Sequence, residues 1–315
     1  MFQQLTQRME KLMEYKVEVD FAPMYECVNS MTAFLSKQNH TAMDSGKLWV
    51  REVQARFAPM LLRKMQEVVK KLDDFSLAPY IWCCPVERSV SSFLDWFDGL
   101  TSGELYEISG RFGQSVPSNL SELRDTASDI LREWNAGYFN GIDPNILKGL
   151  EQEAESRRTT LNGNNDMEVF EAATDGMRLY PTERLKQVII IPQYHARPLV
   201  TTSMFDEFVF TSYSCDVLPP EAGRPAPALL RLTRALSDET RLYILRLLTG
   251  KQLNFTEIVR EVGLSKSTIH YHLIALRAAG LVIVHTNVKS TSYSLRLEAL
   301  NGLPQQIGSY LESQA

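Results

Sequence analysis

The stretch at residues 264–296 most constrains what this chain can fold into, because its pattern predicts a helix followed by two strands. It reads LSKSTIHYHLIALRAAGLVIVHTNVKSTSYSLR. Apolar side chains recur at the i, i+4, i+7 spacing of one helix face, at Ile269, Leu273 and Leu276. Ser265 is a residue type that caps helix N-termini, and Gly280 is the type that ends helices in a left-handed conformation. The residues after Gly280 then predict a two-stranded hairpin with a polar turn.

Two shorter helices before this stretch complete a predicted helix-turn-helix. The first opens at residues 237–240, where a cap and acidic residues suit the positive end of the helix dipole. Its predicted core face is formed by Leu242, Leu245 and Leu248. Asn254, followed three residues later by Glu257, is a capping-box pattern, and the second helix ends at Gly263. A tight turn leads from Gly263 into the long helix, and the hairpin after that helix corresponds to a wing.

The charge pattern over the same stretch indicates a nucleic-acid-binding surface. Residues 262–297 contain no Asp or Glu, although the whole chain has a net charge of −5. Residues 225–315 have a net charge of +4, which leaves −9 for the remainder of the chain. The basic residues and histidines of the acid-free window are Lys266, Arg277, Lys289, Arg296, His270, His272 and His285. A basic surface on an otherwise acidic chain is what docking on phosphates requires.

The face of the long helix opposite its apolar stripe carries side chains that suit phosphates and base edges. We predict that DNA is contacted from this helix and from the wing by Ser265, Lys266, Ser267, Thr268, His270, Tyr271, Asn287 and Lys289. His272 points toward the apolar stripe and is predicted to pack inside instead. The alternatives for this surface are a solvated face and a winged helix used only for protein contacts.

The segments ALSDETRLYILRLL and LSKSTIHYHLIALRAAGLV, together with the hairpin, resemble the ArsR-type winged-helix regulators of bacteria. The resemblance covers roughly the last 90 residues. It implies a homodimer that binds double-stranded operator DNA with two recognition helices in successive major grooves. It also implies that Ser267, His270 and Tyr271 lie where the family reads bases. Metal-sensing members carry a Cys-x-Cys pair, whereas residues 225–315 contain no cysteine, so no metal site is expected.

The dimer surface is predicted from apolar residues on either side of the DNA-reading elements. A packing helix is expected to start near Pro304, since proline would interrupt a helix begun at Glu298. The predicted surface consists of Leu300, Leu303, Ile307 and Leu311, with Leu229, Leu232 and Leu236.

The rest of the chain predicts a separate and mostly helical domain. Residues 45–72 and 167–180 are expected to be helices, and three strands at residues 186–192, 199–203 and 207–214 are expected to form a small sheet, the last two as a hairpin. The segments VEVDFAPMYECVNSM and VIIIPQYHARPL are similar to an uncharacterised domain fused ahead of ArsR-type modules. That resemblance does not indicate any ligand.

The expected fold class is α+β, mostly α, with an N-terminal helical domain that contains a small antiparallel sheet and a C-terminal winged helix-turn-helix. The expected divisions are an N-terminal extension at 1–14, a helical sensor domain at 15–216, a proline-rich linker at 217–227, and a winged helix-turn-helix domain for DNA binding and dimerisation at 228–315.

Several residues of the helical domain have two interpretations. Cys83 and Cys84 suit a redox switch or soft-metal site, or they are small buried residues. His195, beside Tyr194 and Arg197, is either a surface histidine or part of an anion site. The aromatic residues that either line a ligand cavity or form an ordinary core are Trp49, Trp82, Trp96, Trp134 and Tyr138.

Composition and motifs narrow the function. Four cysteines among 315 residues suit a reducing cytoplasm, and no apolar run approaches the ~20 residues of a membrane span. The chain lacks phosphate-loop, dinucleotide, zincin and serine-hydrolase motifs, so neither an enzyme nor a cofactor is expected. We expect a transcription regulator, a repressor that responds to a small-molecule effector held by the helical domain. The alternatives are an enzyme delivered to DNA by its winged helix and an adaptor whose winged helix binds protein.

Overall fold

A computed structural model describes residues 15–71, 75–115, 118–162, 164–287 and 290–312. The helices are α1 (Pro23–Leu35), α2 (Gly46–Gln54), α3 (Pro59–Lys71), α4 (Ala78–Cys83), α5 (Val90–Gly99), α6 (Ser102–Arg111), α7 (Leu120–Gly137), α8 (Pro144–Leu161), α9 (Asp166–Ala173), α10 (Pro227–Leu236), α11 (Glu239–Leu247), α12 (Phe255–Val262), α13 (Lys266–Ala278), α14 (Leu297–Asn301) and α15 (Leu303–Glu312). The strands are β1 (Lys16–Val19), β2 (Met177–Leu179), β3 (Gln187–Gln193), β4 (Thr201–Met204), β5 (Phe208–Ser214), β6 (Leu253–Asn254), β7 (Val282–Thr286) and β8 (Thr291–Leu295).

The chain is α+β and mostly helical, as predicted, and it divides into two compact units. The helical unit consists of Glu18–Thr159 and Arg184–Val217. The winged-helix unit consists, among the described residues, of 15–17, 160–183 and 218–312. The predicted N-terminal extension at 1–14 lies outside the described residues. No helix in the described ranges is long and apolar enough to cross a membrane.

Aromatic side chains form the centre of the helical unit, where α7 packs against α1, α3 and α5. Trp134 is fully buried, lies parallel to the Phe57 ring with centroids 5.5 Å apart, and donates from Nε1 to the Ser30 hydroxyl at 3.0 Å. All five aromatic residues that the sequence assigned either to a ligand cavity or to an ordinary core pack in this core or against it. The interpretation of these aromatics as ordinary core is therefore the one that the structure supports.

Two of the predicted helices are shorter than expected. The helix expected over residues 45–72 is interrupted between α2 and α3, because Pro59 starts a new helix and cannot continue the earlier one. The helix expected over residues 167–180 ends at Ala173. Asp175 and Gly176 then have positive φ angles, and the chain continues as strand β2.

The sheet of the helical unit has the strand order β1-β3-β5-β4. The predicted hairpin of β4 and β5 is confirmed, with Thr202 opposite Thr211. The prediction of an antiparallel sheet is wrong, because β3 and β5 are parallel, with Val188 beside Val209. The chain between β3 and β5 first forms the edge strand β4, which leaves β5 free to lie next to β3. The residues of β3 from Val188 onward are all buried, as is typical of a strand with neighbours on both sides.

A buried carboxylate joins α1 to the end of β3 in the helical unit. Both Glu26 and His195 are buried, with Nδ1 of His195 2.5 Å from Oε1 of Glu26. The backbone N–H groups of Tyr194 and His195 also donate to this carboxylate. Nε2 of His195 lies 2.8 Å from the Tyr138 hydroxyl, which accepts from Nε1 of Trp49 at 2.8 Å. The interpretation of His195 as a surface residue is therefore wrong, and both of its ring nitrogens lie within hydrogen-bonding distance of Glu26 or Tyr138.

The sheet of the winged-helix unit contains a strand from the middle of the chain. Its order is β2-β7-β8-β6, and β2 runs parallel to β7 with Met177 beside Val284. Residues 160–183 thus belong to the winged-helix unit, whereas the sequence assigns them to a continuous domain at 15–216. The Tyr310 hydroxyl donates to the Gly223 carbonyl at 3.2 Å, so the proline-rich segment is attached to α15 within the same unit.

His285 on β7 lies between two hydroxyl groups. Its Nδ1 is 2.9 Å from the Tyr180 hydroxyl, and its Nε2 is 2.7 Å from the Ser294 hydroxyl. Burial lowers the pKa of His285, and the nearby guanidinium of Arg178 lowers this pKa further, while Glu171 opposes the shift. His285 is therefore a structural residue that is held neutral, and it adds no charge to the acid-free window.

We expect Gly137→Ala to destabilise the protein by about 1–3 kcal/mol, because the added methyl group overlaps the Phe57 ring at the centre of the core. The matched control is Gly110→Ala on α6, which is exposed and meets nothing within 4 Å. This control should be neutral or stabilising by up to about 1 kcal/mol. Chemical denaturation measures both changes, and equal destabilisation by the two variants would contradict the close packing described here.

We expect the stability of the winged-helix unit to fall as the pH drops below about 6.5, the ordinary pKa of histidine in an unfolded chain. The folded state holds the pKa of His285 lower, so its contribution is fully present above that pH and is lost as the pH falls through the folded pKa. The His285→Asn variant should be less stable at neutral pH but should lose less stability on acidification. Identical pH dependence of the thermal transition in both proteins would exclude His285 as the cause.

Candidate nucleic-acid interface

The predicted helix-turn-helix is present as α12, a tight turn and α13. Asn254 and Glu257 form the expected reciprocal capping box, with N–H to side-chain distances of 2.8 and 3.0 Å. The turn passes through Gly263, whose φ of 73° requires a residue that tolerates the left-handed region. The N–H of Thr268 donates to the Ser265 hydroxyl at 3.2 Å, which confirms Ser265 as the cap of α13. The left-handed cap at Gly263 and the Ser265 cap thus fix the two ends of the turn.

The inner face of α13 is anchored in the core of the winged-helix unit. Its buried side chains are Ile269, His272, Leu273 and Leu276. The same core contains Ile244, Leu245 and Leu248 of the segment around α11. Leu242 was predicted to belong to this core, but it is 49% exposed, because the buried face of α11 passes through Ile244 and Leu245 instead.

The outer face of α13 is polar, and its N-terminal half carries no acid. Lys266, Ser267, His270 and Tyr271 are all exposed, and Tyr271 is 59% accessible. The ring of His270 makes an edge contact with Phe255, with centroids 6.4 Å apart. Phe255 therefore contributes to the site by supporting His270. In the sequence, the only signal for Phe255 was its position as the first residue of α12.

Two of the predicted contact residues have a structural function at the helix start. The Ser265 hydroxyl lies 2.9 Å from that of Ser267 and 2.8 Å from that of Thr268. Thr268 is half-buried, and both its N–H and its hydroxyl face the cap. Ser265 and Thr268 thus hold the first turn of α13, whose initial N–H groups have no acceptor within the helix.

The wing is the hairpin of β7 and β8, with Val282 opposite Leu295. At its tip the Asn287 side chain accepts from the N–H of Ser290 at 2.8 Å and from the Ser290 hydroxyl at 3.1 Å. Asn287 therefore shapes the turn as an Asx-type residue. Lys289, the predicted cation of the wing, lies outside the described residues.

The charge of the acid-free window is not all directed outward. Arg277 is partly buried against the Met177 sulfur at 3.7 Å, and burial lowers the pKa of its guanidinium. Arg296 lies 3.6 Å from the carboxylate of Asp175. Of the described cations in the window, Lys266 is the one that projects from the outer face of α13.

Acids close to the helix-turn-helix are held by local contacts. The Asp238 carboxylate accepts from the N–H of Arg241 at 2.9 Å, and this bond is the main reason that the pKa of Asp238 is lowered. Glu257 belongs to the capping box, and Glu261 pairs with Arg260 at 3.1 Å. These contacts partly neutralise the acids that would otherwise repel a phosphate backbone.

The thiols and metal-ligand residues were also candidate sites. Cys27, Cys83, Cys84 and Cys215 are free, and burial raises the thiol pKa of each. A raised thiol pKa lowers the fraction of reactive thiolate, which favours the structural interpretation of Cys83 and Cys84. Among the described residues, no group of three or more His, Cys, Asp or Glu side chains is arranged to hold a metal ion.

Comparison with known proteins gives two matches to bacterial regulators. Residues 238–284, from the cap of α11 into β7, match the family described as bacterial regulatory protein, arsR family. The chain is also 31% identical over 83 residues to the nodulation protein NolR of Rhizobium meliloti, a match that spans 26% of this chain and 68% of that protein. The predicted resemblance is confirmed, and the chain belongs to the ArsR family of bacterial regulatory proteins.

Proposed function

We propose that this protein is a dimeric repressor that binds a specific operator through α13 and releases it in response to a small molecule. Its family membership makes it a DNA-binding transcriptional regulator. The observation that supports operator binding through α13 is the outer face of this helix, which is exposed, polar and free of acids over its N-terminal half. A helix N-terminus with such a face suits both phosphates and base edges in a major groove.

The exposed residues of α13 divide into two roles in this proposal. Lys266, together with the N–H groups of the first turn, contacts phosphates and so fixes the position of the helix on the duplex. Ser267, His270 and Tyr271 read base edges, because they share the exposed face of the first two turns. Asn287 and Lys289 extend the contact from the wing to a neighbouring phosphate or the minor groove.

Dimerisation follows from the limited reach of one recognition helix. Two half-sites about one helical turn apart supply the affinity that one α13 alone lacks. The predicted dimer surface needs revision, because Leu229 and Leu232 are buried within the unit. The apolar side chains left exposed on α14 and α15 are Leu297, Ile307 and Leu311, and we propose these as the contact with a second copy.

The response to an effector needs a physical connection between the two units, and the chain supplies several. It passes between the units at residues 17–18, 159–160, 183–184 and 217–218. Two of these passages flank residues 160–183, whose strand β2 is hydrogen-bonded to β7 at the base of the wing. We propose that this segment, with the proline-rich linker at 217–227, transmits the signal. A coupling of about 1–3 kcal/mol is sufficient for a 5- to 150-fold change in operator affinity.

The enzyme alternative would need an activated group in the helical unit. The arrangement nearest to one is the chain of contacts from Glu26 through His195 to Tyr138. Burial raises the pKa of the Tyr138 hydroxyl to about 12, which opposes its use as a nucleophile or base. This arrangement therefore supports a structural role, in line with a regulator.

We expect Lys266→Ala to weaken binding to all DNA sequences and to reduce the salt dependence by about one phosphate contact. Ser267→Ala and Tyr271→Phe should instead reduce the preference for the operator over scrambled DNA, by about 1–3 kcal/mol for each base-edge hydrogen bond that the substitution removes. The measurement is fluorescence anisotropy at several salt concentrations, with DNA from the protein's own upstream promoter.

The control for this series is Lys148→Ala, which removes an exposed cation from α8 in the helical unit and should leave DNA binding unchanged. Equal reductions in affinity on operator and scrambled DNA for all three α13 variants would refute the division into phosphate and base contacts. Unchanged binding in all of them would refute α13 as the reading helix.

We expect Leu311→Glu to convert a dimer into a monomer at micromolar concentration, because it places a charge in the proposed apolar contact. The control is Leu48→Glu on α2, where the leucine is 68% exposed and lies outside that contact. Sedimentation velocity separates the two states, and footprinting should show two half-sites protected by the wild type. A wild-type monomer with a non-symmetric footprint would count against the dimeric arrangement.

A further inference from the structure

The helical unit contains a cavity of about 490 Å³ between α1 and the sheet. This volume lies within the range of about 300–1,000 Å³ that is typical of small-molecule sites. Its inner wall is apolar and includes Met31, Ile81, Ile191 and Phe210. Its outer wall reaches the surface at Thr32 and at the edge strand β4, which gives a ligand a way in.

The polar groups of the cavity are hydroxyls and amides. They include Asn29 and Thr32 on α1, Ser36 directly after it, and Ser203 and Ser212 on the sheet. Asn29 of α1 and Ser212 of β5 meet at the wall of the cavity in a weak contact, since Nδ2 of Asn29 lies 3.3 Å from the Ser212 hydroxyl. A hydrogen bond at that distance is longer than the ordinary range, so both groups can turn to a better partner.

Charge is the feature that selects the class of ligand. Among the described residues that line the cavity there is no Asp, Glu, Lys, Arg or His. The hydroxyl of Tyr25, which also lines the cavity, donates to Asp20 at 2.7 Å and is already used. An ionised ligand would lose its hydration here without meeting an opposite charge, which is strongly unfavourable.

We propose that this cavity is the effector site, and that it binds an uncharged small molecule with an apolar body and a hydroxyl, carbonyl or amide group. The apolar part packs against the inner wall, and the polar group joins Asn29 and Ser212 in place of their weak mutual contact. The ligand thereby connects α1 to β5 of the sheet. The cavity contains none of the five aromatic residues that the sequence suggested for a ligand site.

The role of this ligand as the signal rests on the proposed function, whereas the binding itself does not. The first measurement therefore uses no DNA. The full-length protein is titrated with the neutral fluorophore N-phenylnaphthylamine and with its anionic relative anilinonaphthalene sulfonate. We expect saturable binding of one neutral molecule per chain, at least tenfold tighter than binding of the sulfonate.

Two variants place the bound probe in this cavity. Ser203→Phe fills space beside the half-buried Ser203 on β4, which lies opposite Phe210 and therefore shares its cavity-lining face, and should weaken the neutral probe at least tenfold. Its matched control, Ser121→Phe, alters a half-buried serine of α7 outside the cavity and should have no effect. Thr32→Lys adds a cation at the exposed rim. It should strengthen sulfonate binding about fivefold or more and leave the neutral probe unchanged.

The site is overturned if the neutral probe does not saturate, or if folded Ser203→Phe protein binds it as well as the wild type does. The proposal of an uncharged ligand is overturned if the wild type binds the sulfonate more tightly than the neutral probe and Thr32→Lys does not change the affinity for the sulfonate. Operator affinity of the same variants is measured separately by anisotropy. If the wild type and the variants bind the probe as expected but none of them binds DNA, the proposed function is contradicted and the ligand site is not.

Discussion

The winged-helix unit depends on the pairing of β2 with β7. Strand β7 is one of the two inner strands of the sheet that forms the wing, and four of its five residues are buried. Its outer backbone groups are satisfied by the middle of the chain, with Val284 N–H donating to the Gly176 carbonyl at 2.7 Å and Tyr180 N–H donating to the Thr286 carbonyl at 2.9 Å. Without β2 this edge would be left open, which is costly for buried backbone groups and exposes a strand to aggregation. Residues 160–183 are therefore an integral part of the winged-helix unit.

A second buried contact plays the corresponding role in the helical unit. A fully buried carboxylate such as Glu26 is tolerated only when its charge is compensated, and here two backbone N–H groups and His195 provide the compensation. The same histidine extends the network to Tyr138 and Trp49, so polar contacts join α1, α2 and the end of α7 to the sheet. The proposed effector cavity lies along the same helix α1, from Tyr25 to Ser36. A ligand there would act on the element that this network holds in place.

The candidate nucleic-acid interface has a modest net charge, and local contacts hold its helix α13 in place. Arg277 is partly buried against Met177, and Arg296 is paired with Asp175, so neither guanidinium is directed outward from α13. The specificity proposed for α13 thus depends less on bulk attraction than on hydroxyl, imidazole and phenol groups held at fixed places on one face. Capping by Ser265 and the contact of His270 with Phe255 provide that support.

The sequence by itself determined the elements that rest on local signals. Capping residues, helix stops and apolar spacing predicted α12, the turn, α13 and the exposed face with Lys266, Ser267, His270 and Tyr271, because these depend on neighbours within a few residues. Only the tertiary structure decided the long-range pairings. The parallel strands β2 and β7, the burial of His195 against Glu26 and the cavity beside Asn29 join residues more than 100 positions apart in the chain. Local periodicity contains no information on such partners, since a strand or a histidine is compatible with many of them until the whole chain packs.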